Sequence, residues 1–219
     1  MGSCGTWTTA DAVAFQAATV TMVDQVLAAF AAAGKWPLLS IRQDGTINEP
    51  LRRFQASVNP ILKQRGGFRF MEALCQQYTM PCTLDGTTSN NASACCVSQV
   101  QELVQQSADG IPLAVHGWAQ GDTPHEFYLA AFLVGMGNHS YFSISGGSED
   151  VKAAGGDGSM WAEHSFPFFP EYTKPLGRPL GPPVRHSWGV WTRSFEHLDV
   201  YLDVSPKGVA HWNASLSWH

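Results

Sequence analysis

The sequence predicts a mixed α/β fold built around a parallel sheet, and three observations lead to this prediction. Over residues 9–145, short apolar segments alternate with segments of helical periodicity, a repeat that produces parallel strands covered by helices. Residues 146–188 are rich in glycine and proline, which indicates a long ordered loop or arm. Residues 189–219 alternate apolar and polar side chains, as antiparallel strands do.

The first helix has the clearest sequence boundaries. Thr8 or Thr9 can cap it, and Asp11 falls in its first turn, where a negative charge suits the helix dipole. Apolar residues recur at helical spacing over residues 10–33. Gly34 then provides a natural stop.

The remaining elements are predicted from helical spacing of apolar residues and from short apolar or alternating segments typical of strands. Parallel strands are predicted at residues 37–41, 67–72, 111–118 and 138–145. Helices are predicted at about residues 50–64, 94–107 and 124–136, with a loop at 79–94. The closing antiparallel strands are predicted at residues 189–195, 199–204 and 208–212. The helix at 124–136 is apolar nearly all round and should be buried on most sides.

These patterns divide the chain into a parallel unit at residues 1–145, the arm at 146–188 and C-terminal strands at 189–219 that close the same domain. Four parallel strands are too few for a closed barrel of eight. The residues alone therefore allow half of a barrel or a small open sheet.

Composition excludes several classes of function. The 219 residues carry a net charge of −5 without a basic stretch, which argues against nucleic-acid binding. No window approaches 18 uninterrupted apolar residues, so we expect no membrane-spanning helix. Motifs for phosphate or dinucleotide binding and regular metal-ligand spacings are not present, so no cofactor and no metal is expected. The eight Trp, twelve Phe and five Tyr suit a dense core or a site that stacks on sugars.

The cysteines indicate an oxidising compartment. Four of the five lie within 22 residues, which favours a disulfide-stapled loop with three possible connectivities. The vicinal Cys95 and Cys96 should pair with separate partners, Cys75 and Cys82 being the nearest. The sequence also contains three N-x-S/T sequons, at Asn91, Asn138 and Asn213, which favour the same compartment. We therefore expect an extracellular or cell-surface protein, although residues 1–13 do not resemble a signal peptide.

Candidate site residues come from the carboxyl ends of the parallel strands, where ligands bind in α/β proteins. The strand ends offer Arg42 and Asp44, then Glu72, then His116 and Trp118. A carboxylate in the position of Glu72 can act as a general acid or a nucleophile. The alternatives are an ion pair of Glu72 with an arginine such as Arg42 or Arg69, a structural His116 and a core Trp118.

Part of the sequence resembles a known family. The strand GFRFME ending at Glu72 is followed by a Tyr-x-x-P-L-G-x-P-L-G-P stretch from Tyr172 and by W-x-R-x-F-E from Trp191. This pattern resembles the glycoside-hydrolase-like TIM barrels of secreted or surface proteins of microbes. It departs from them at Leu198 and Asp199, where a glycine is expected, and at Asp203, where an asparagine is expected.

The resemblance implies the C-terminal half of a (β/α)8 TIM-like barrel that acts on a carbohydrate. Glu72 would be one of two catalytic carboxylates, and the first half of the barrel, which should supply the other, has no counterpart in this sequence. One alternative is a non-catalytic sugar-binding module, in which Trp118, Trp161, Trp188 and Trp191 would stack on sugars. The other is an inactive fragment of a TIM-barrel protein. If the barrel is incomplete, its open edges also predict self-association.

Overall fold

The fold consists of a parallel and an antiparallel sheet that share one hydrophobic core. The computed structural model describes residues 8–40, 49–75, 82–84, 87–119, 121–156 and 166–219. The helices are α1 (Thr9–Ala32), α2 (Glu49–Arg65), α3 (Ala92–Ala108), α4 (His125–Gly135) and α5 (Glu149–Ala153), with 3₁₀ turns at Pro170–Thr173 and Val209–His211. The strands are β1 (Leu38–Ser40), β2 (Phe68–Leu74), β3 (Cys82–Leu84), β4 (Thr87–Ser89), β5 (Leu113–Ala119), β6 (Ser140–Gly146), β7 (Val184–Ser187), β8 (Val190–Ser194), β9 (Leu198–Asp203) and β10 (Asn213–Trp218).

The parallel sheet has the strand order β1-β2-β5-β6, and each neighbouring pair is parallel. The predicted four-stranded parallel sheet is therefore confirmed. Side chains on one face contact the connecting helices: Leu39 packs on the α1–α2 cluster, Arg69 pairs with Glu102 of α3, and Phe142 stacks on Phe132 of α4. The helices between the strands thus lie on the same face of the sheet.

Helix α4 is buried on two opposite sides. Every residue from Phe127 to Gly135 is buried. On one side, Phe132 stacks on Phe142 of the parallel sheet, with ring centroids 5.0 Å apart. On the other side, Phe127 stacks on Trp212 beside the antiparallel sheet, at 4.8 Å. The burial predicted from the apolar sequence of α4 is therefore confirmed. Because both sides of the helix are covered, neither side needs polar side chains that face water.

The antiparallel sheet has the order β10-β9-β8-β7. The strand predicted at residues 208–212 is wrong, since this segment forms a 3₁₀ turn and the last strand is Asn213–Trp218. Gly208 adopts a φ of 107°, and the Trp212 indole turns inward to donate to the Ser93 hydroxyl. A long-range contact therefore overrides the local alternation of apolar residues.

The predicted loop at residues 79–94 contains more structure than its composition indicates. Strands β3 and β4 form a hairpin, and α3 begins at Ala92. Asn91 caps this helix, because its side-chain oxygen accepts hydrogen bonds from the N–H groups of Ser93 and Ala94.

Two disulfides fasten this region to the sheet. Cys75 pairs with Cys96 and Cys82 pairs with Cys95, so the vicinal cysteines have separate partners as predicted. The first bond joins the end of β2 to α3, and the second joins the hairpin to the same helix. Cys4 lies outside the described residues.

Helix α1 lies largely outside the core. A reciprocal Thr8–Asp11 capping box starts it, as the sequence predicts. Val23 and Leu27 pack on Val58 and Leu62 of α2. The 20-residue segment Val13–Ala32 is long and apolar enough to cross a membrane, and 11% of it is buried. The expected absence of a membrane-spanning helix therefore stays a prediction.

The packing of α3 on α4 generates a stability prediction. A Cβ added to Gly135 would lie 2.5 Å from Leu103 Cγ, whereas one added to Gly181 would meet open space. We expect Gly135→Ala to lower the free energy of unfolding by about 1–3 kcal/mol through overpacking. Urea denaturation measures this loss, with Gly181→Ala as the matched control. Equal stability of the two variants would contradict close packing at this crossing.

Candidate functional site

The face of the parallel sheet opposite the helices carries a row of aromatic rings. Strand alternation places Phe68 and Phe70 of β2, His116 and Trp118 of β5, and Tyr141 of β6 on this face. The rings of Phe68 and Tyr141 meet edge to face at 5.1 Å, and those of Phe70 and His116 stack at 6.4 Å. We call the surface formed by these five residues the aromatic face.

His116 lies at the centre of this face and is 1% exposed. Its Nε2 lies 2.8 Å from the hydroxyl of Ser145 on β6. Phe166 of the arm covers the same ring, with centroids 5.7 Å apart. Burial lowers the pKa of His116 to about 4, because a low-dielectric environment disfavours the charged imidazolium. The ring is therefore neutral near pH 7.

Glu72 lies at an irregularity in β2. Met71 pairs with Val115 and Leu74 pairs with Gly117, so two residues of β2 oppose the single residue His116. Such a bulge redirects side chains and is common beside active sites. Since Met71 and Leu74 are both buried in the helix-side core, the bulge places the half-buried Glu72 next to His116 in the register.

One alternative for Glu72 is an ion pair with Arg69, and the structure shows Arg69 paired with another carboxylate. Arg69, on the same strand, is 2% exposed and forms its ion pair with Glu102 of α3. This pair lies on the helix side of the sheet, away from the aromatic face. Arg69 is therefore occupied by a carboxylate other than that of Glu72. Arg42, together with the candidate Asp44, lies outside the described residues.

Trp118 lies at the end of β5, opposite Ser145 in the register. It is half-buried and packs across the backbone of Gly146, where an added Cβ would lie 2.6 Å from Trp118 Cδ1. Gly146 also has a φ of 122°, so the close approach requires glycine. The structure therefore places Glu72, on β2, beside the neighbouring strand β5, which carries His116 and Trp118.

Other carboxylates lie at the same end of the sheet. Asp150 accepts hydrogen bonds from the backbone and ring of His125 and from Ser148. Burial raises the pKa of Asp150, but these hydrogen bonds outweigh burial and leave the pKa below its usual value. Glu149 pairs with Lys152 at 3.2 Å. Asp122 is exposed in the turn after β5.

Sequence reasoning missed two neighbours of His116. Ser145 was recognisable only as a strand-end residue, and its pairing with His116 depends on the register of β5 and β6. Phe166 comes from the arm, 50 residues along the chain, and no local pattern predicts its contact with His116. Of the tryptophans expected to stack on sugars in a binding module, Trp191 is 3% exposed and Trp161 lies outside the described residues.

Comparison with known proteins gives one family. A family model described as hypothetical glycosyl hydrolase family 15 matches residues 85–199, just over half of the chain. The matched segment includes His116, Trp118 and the arm, whereas Glu72 precedes it. No curated protein sequence matches the chain.

The buried His116 generates a pH prediction. Its pKa in the folded protein, about 4, lies below the ordinary value of roughly 6.5, so the unfolded chain binds more protons between these pH values. Stability should be fully present above pH 6.5 and fall as the pH drops, by about 3 kcal/mol near pH 4. Urea denaturation at several pH values measures this loss. The variant His116→Gln should remove this part of the pH dependence, and an unchanged slope would contradict the assignment.

Proposed function

Because the chain belongs to hypothetical glycosyl hydrolase family 15, we propose that it hydrolyses a glycosidic bond at the carboxyl ends of its parallel strands. Family membership over residues 85–199 is the observation that carries this proposal. The matched segment includes the neutral His116 together with Trp118 and Phe166, a set suited to an uncharged ligand with flat apolar faces.

The strand arrangement supports a barrel-like architecture for this site. Strands β1, β2, β5 and β6 follow one another in space in the order of the chain, with their connecting helices on one face. A doubly wound sheet would reverse this order at a switch point. We therefore propose that the parallel sheet is part of a TIM-like barrel with the aromatic face on its inner side.

Glu72 is the proposed catalytic carboxylate. Glycoside hydrolysis uses one carboxyl group to protonate the leaving oxygen and a second to attack the sugar or to activate water. The bulge in β2 supports this role, because it sets Glu72 beside His116 near the end of the strand. A carboxylate there can transfer a proton to a glycosidic oxygen bound over the sheet.

Asp122 is the second carboxylate that we propose. Of the described carboxylates at the ends of β5 and β6, Asp150 is held by His125 and Ser148, and Glu149 follows β6, one strand farther from β2 than Asp122. Asp122 is exposed in the turn that follows Trp118. It can therefore face a substrate without first losing an ion pair or a buried hydrogen bond.

The arm carries two exposed aromatic side chains, of which Phe166 contacts His116. Phe166 is 45% exposed while its edge contacts His116, and Phe168 is 67% exposed beside Tyr172. Exposed aromatic rings offer stacking surfaces for sugar rings. We propose that Phe168 binds a sugar unit next to the one that reacts.

The role of Glu72 has a direct test. We expect Glu72→Gln to lower kcat by about 100-fold or more, since the amide cannot transfer a proton. The measurement is turnover of the unactivated oligosaccharide that the wild-type protein hydrolyses best, because its sugar leaving group must be protonated. Glu149→Gln is the matched control, because its side chain is 88% exposed and pairs with Lys152. Unchanged turnover of folded Glu72→Gln protein would refute the assignment.

The proposed role of Phe168 in binding is tested by KM rather than by kcat. We expect Phe168→Ala to raise KM for an oligosaccharide about tenfold while kcat changes little, because stacking is worth about 1 kcal/mol or more. Phe15→Ala is the control, since Phe15 is comparably exposed, at 61%, but lies on α1. Equal KM values for the two variants would exclude a stacking role for Phe168.

A further inference from the structure

Helix α1 exposes apolar side chains along most of its length. Phe15, Met22, Val26 and Phe30 follow one another at intervals of seven, four and four residues, which places them on one side of the helix. Their exposed fractions are 61%, 56%, 45% and 43%. Single exposed apolar residues are ordinary, but a continuous apolar surface marks a place that another molecule covers. We call these four residues the apolar stripe.

The core contact of α1 uses a different side of the helix. Val23 and Leu27 are buried, and they pack on Val58 and Leu62 of α2. Each helical residue is turned by about 100° from the one before it, so the side that carries Val23 and Leu27 lies next to the apolar stripe. Packing on α2 therefore leaves the stripe exposed.

A lipid bilayer does not suit this helix. Asp24 lies within the apolar segment Val13–Ala32, and its carboxylate accepts a hydrogen bond from Arg65 Nε of α2 at 2.9 Å. An embedded α1 would carry this ion pair and α2 into hydrocarbon, where charged groups are costly. The net charge of −5 also gives the chain no general attraction to anionic lipids. A protein surface is therefore the better occupant of the stripe.

The stripe is complementary to a second copy of itself in the antiparallel direction. Phe15 lies seven residues before Met22, and Phe30 lies eight residues after it. Two antiparallel α1 helices that cross near Met22 therefore set Phe15 of each copy against Phe30 of the other. Asp11 precedes Phe15 by four residues and lies on the same side of the helix. The same register brings the exposed Asp11 of each copy towards the exposed Lys35 of the other.

The charges at the two ends of the stripe select this direction. A parallel pair would place Asp11 beside Asp11 and Lys35 beside Lys35, and contacts between like charges are unfavourable. The antiparallel pair places each carboxylate near an ammonium group. Exposed ion pairs of this kind contribute only about 0–1 kcal/mol, so they fix direction and register while the apolar side chains supply the affinity.

We infer that the protein forms a twofold-symmetric dimer in which the α1 helices of two copies pack antiparallel through the apolar stripe. A twofold interface uses the same surface of both copies, which the arrangement of the stripe about Met22 allows. Phe15 and Phe30 each offer roughly 100 Å² of exposed surface. One helix from each copy makes an interface at the small end of the specific class, so the dimer dissociates on dilution.

The dimer leaves the proposed active site open. Helix α1 contacts the sheet through the cluster on which Leu39 packs, on the helix side. The aromatic face lies on the opposite side of the sheet. The inference is therefore independent of the catalytic proposal. It also differs from the self-association that open strand edges predict, because the contact is made by a helix.

Sedimentation equilibrium of the full chain tests the dimer. We expect a reversible monomer–dimer equilibrium with a dissociation constant in the micromolar range. Met22→Glu brings two carboxylates together near the twofold axis and should raise this constant about tenfold or more. Thr21→Glu is the matched control, because it adds the same charge at an exposed residue on another side of α1. A wild-type chain that stays monomeric at about 100 μM, or equal constants for the two variants, would overturn the inference.

Disulfide cross-linking tests the direction of the helices, with Cys4 replaced by serine in every variant. We expect Met22→Cys to form a covalent dimer by itself. Phe15→Cys and Phe30→Cys should cross-link with each other when mixed, but neither should cross-link with itself. About 15 residues of helix, roughly 22 Å, separate the like positions, and a disulfide needs Cα atoms within about 7 Å. Self-cross-linking of Phe15→Cys would show a parallel pair and overturn the proposed register.

Vesicle flotation tests the bilayer as the other occupant of the stripe. The wild-type chain is centrifuged with phosphatidylcholine vesicles at a concentration where the dimer is expected. We expect the protein to remain below the vesicles in the gradient, as a dimer whose stripe is already covered does. Flotation of the wild-type chain that Met22→Glu abolishes would assign the stripe to a bilayer and overturn the dimer.

Discussion

The burial of α4 between the two sheets is the constraint on which the rest of the structure depends. Nine consecutive residues, Phe127 to Gly135, are buried, so this helix cannot be stable at a surface. The parallel sheet covers one side and the antiparallel sheet covers the other. Neither sheet alone would remove all of this apolar surface from water, which explains why both share one core.

Both ends of α4 are satisfied by groups from other parts of the chain. At the N-terminus, the Asp150 carboxylate accepts the backbone N–H of His125. At the C-terminus, Arg193 Nη1 donates to the carbonyl oxygens of Leu133, Val134 and Met136. An anion at the start and a cation at the end both stabilise the helix dipole. The His125 ring also stacks on Phe169 at 3.7 Å, which fixes the arm that carries Phe166 to the site.

Local patterns predicted those parts of the fold that depend on one segment. The four parallel strands, the burial of α4 and the separate pairing of Cys95 and Cys96 follow from periodicity, composition and spacing. The bulge at Glu72, the Ser145–His116 contact and the inward turn of Trp212 do not. Each depends on the register or approach of distant segments, which no single stretch of sequence specifies.

A crystal structure of the Glu72→Gln variant with bound oligosaccharide would show whether the substrate lies over the parallel sheet at Glu72. The ligand is an oligosaccharide that the wild-type protein cleaves. We expect a sugar ring at the carboxyl ends of the parallel strands, with its glycosidic oxygen within hydrogen-bond reach of the side chain at position 72 and a neighbouring ring beside Phe168. A ligand bound on the outer surface of the antiparallel sheet, far from residue 72, would contradict it.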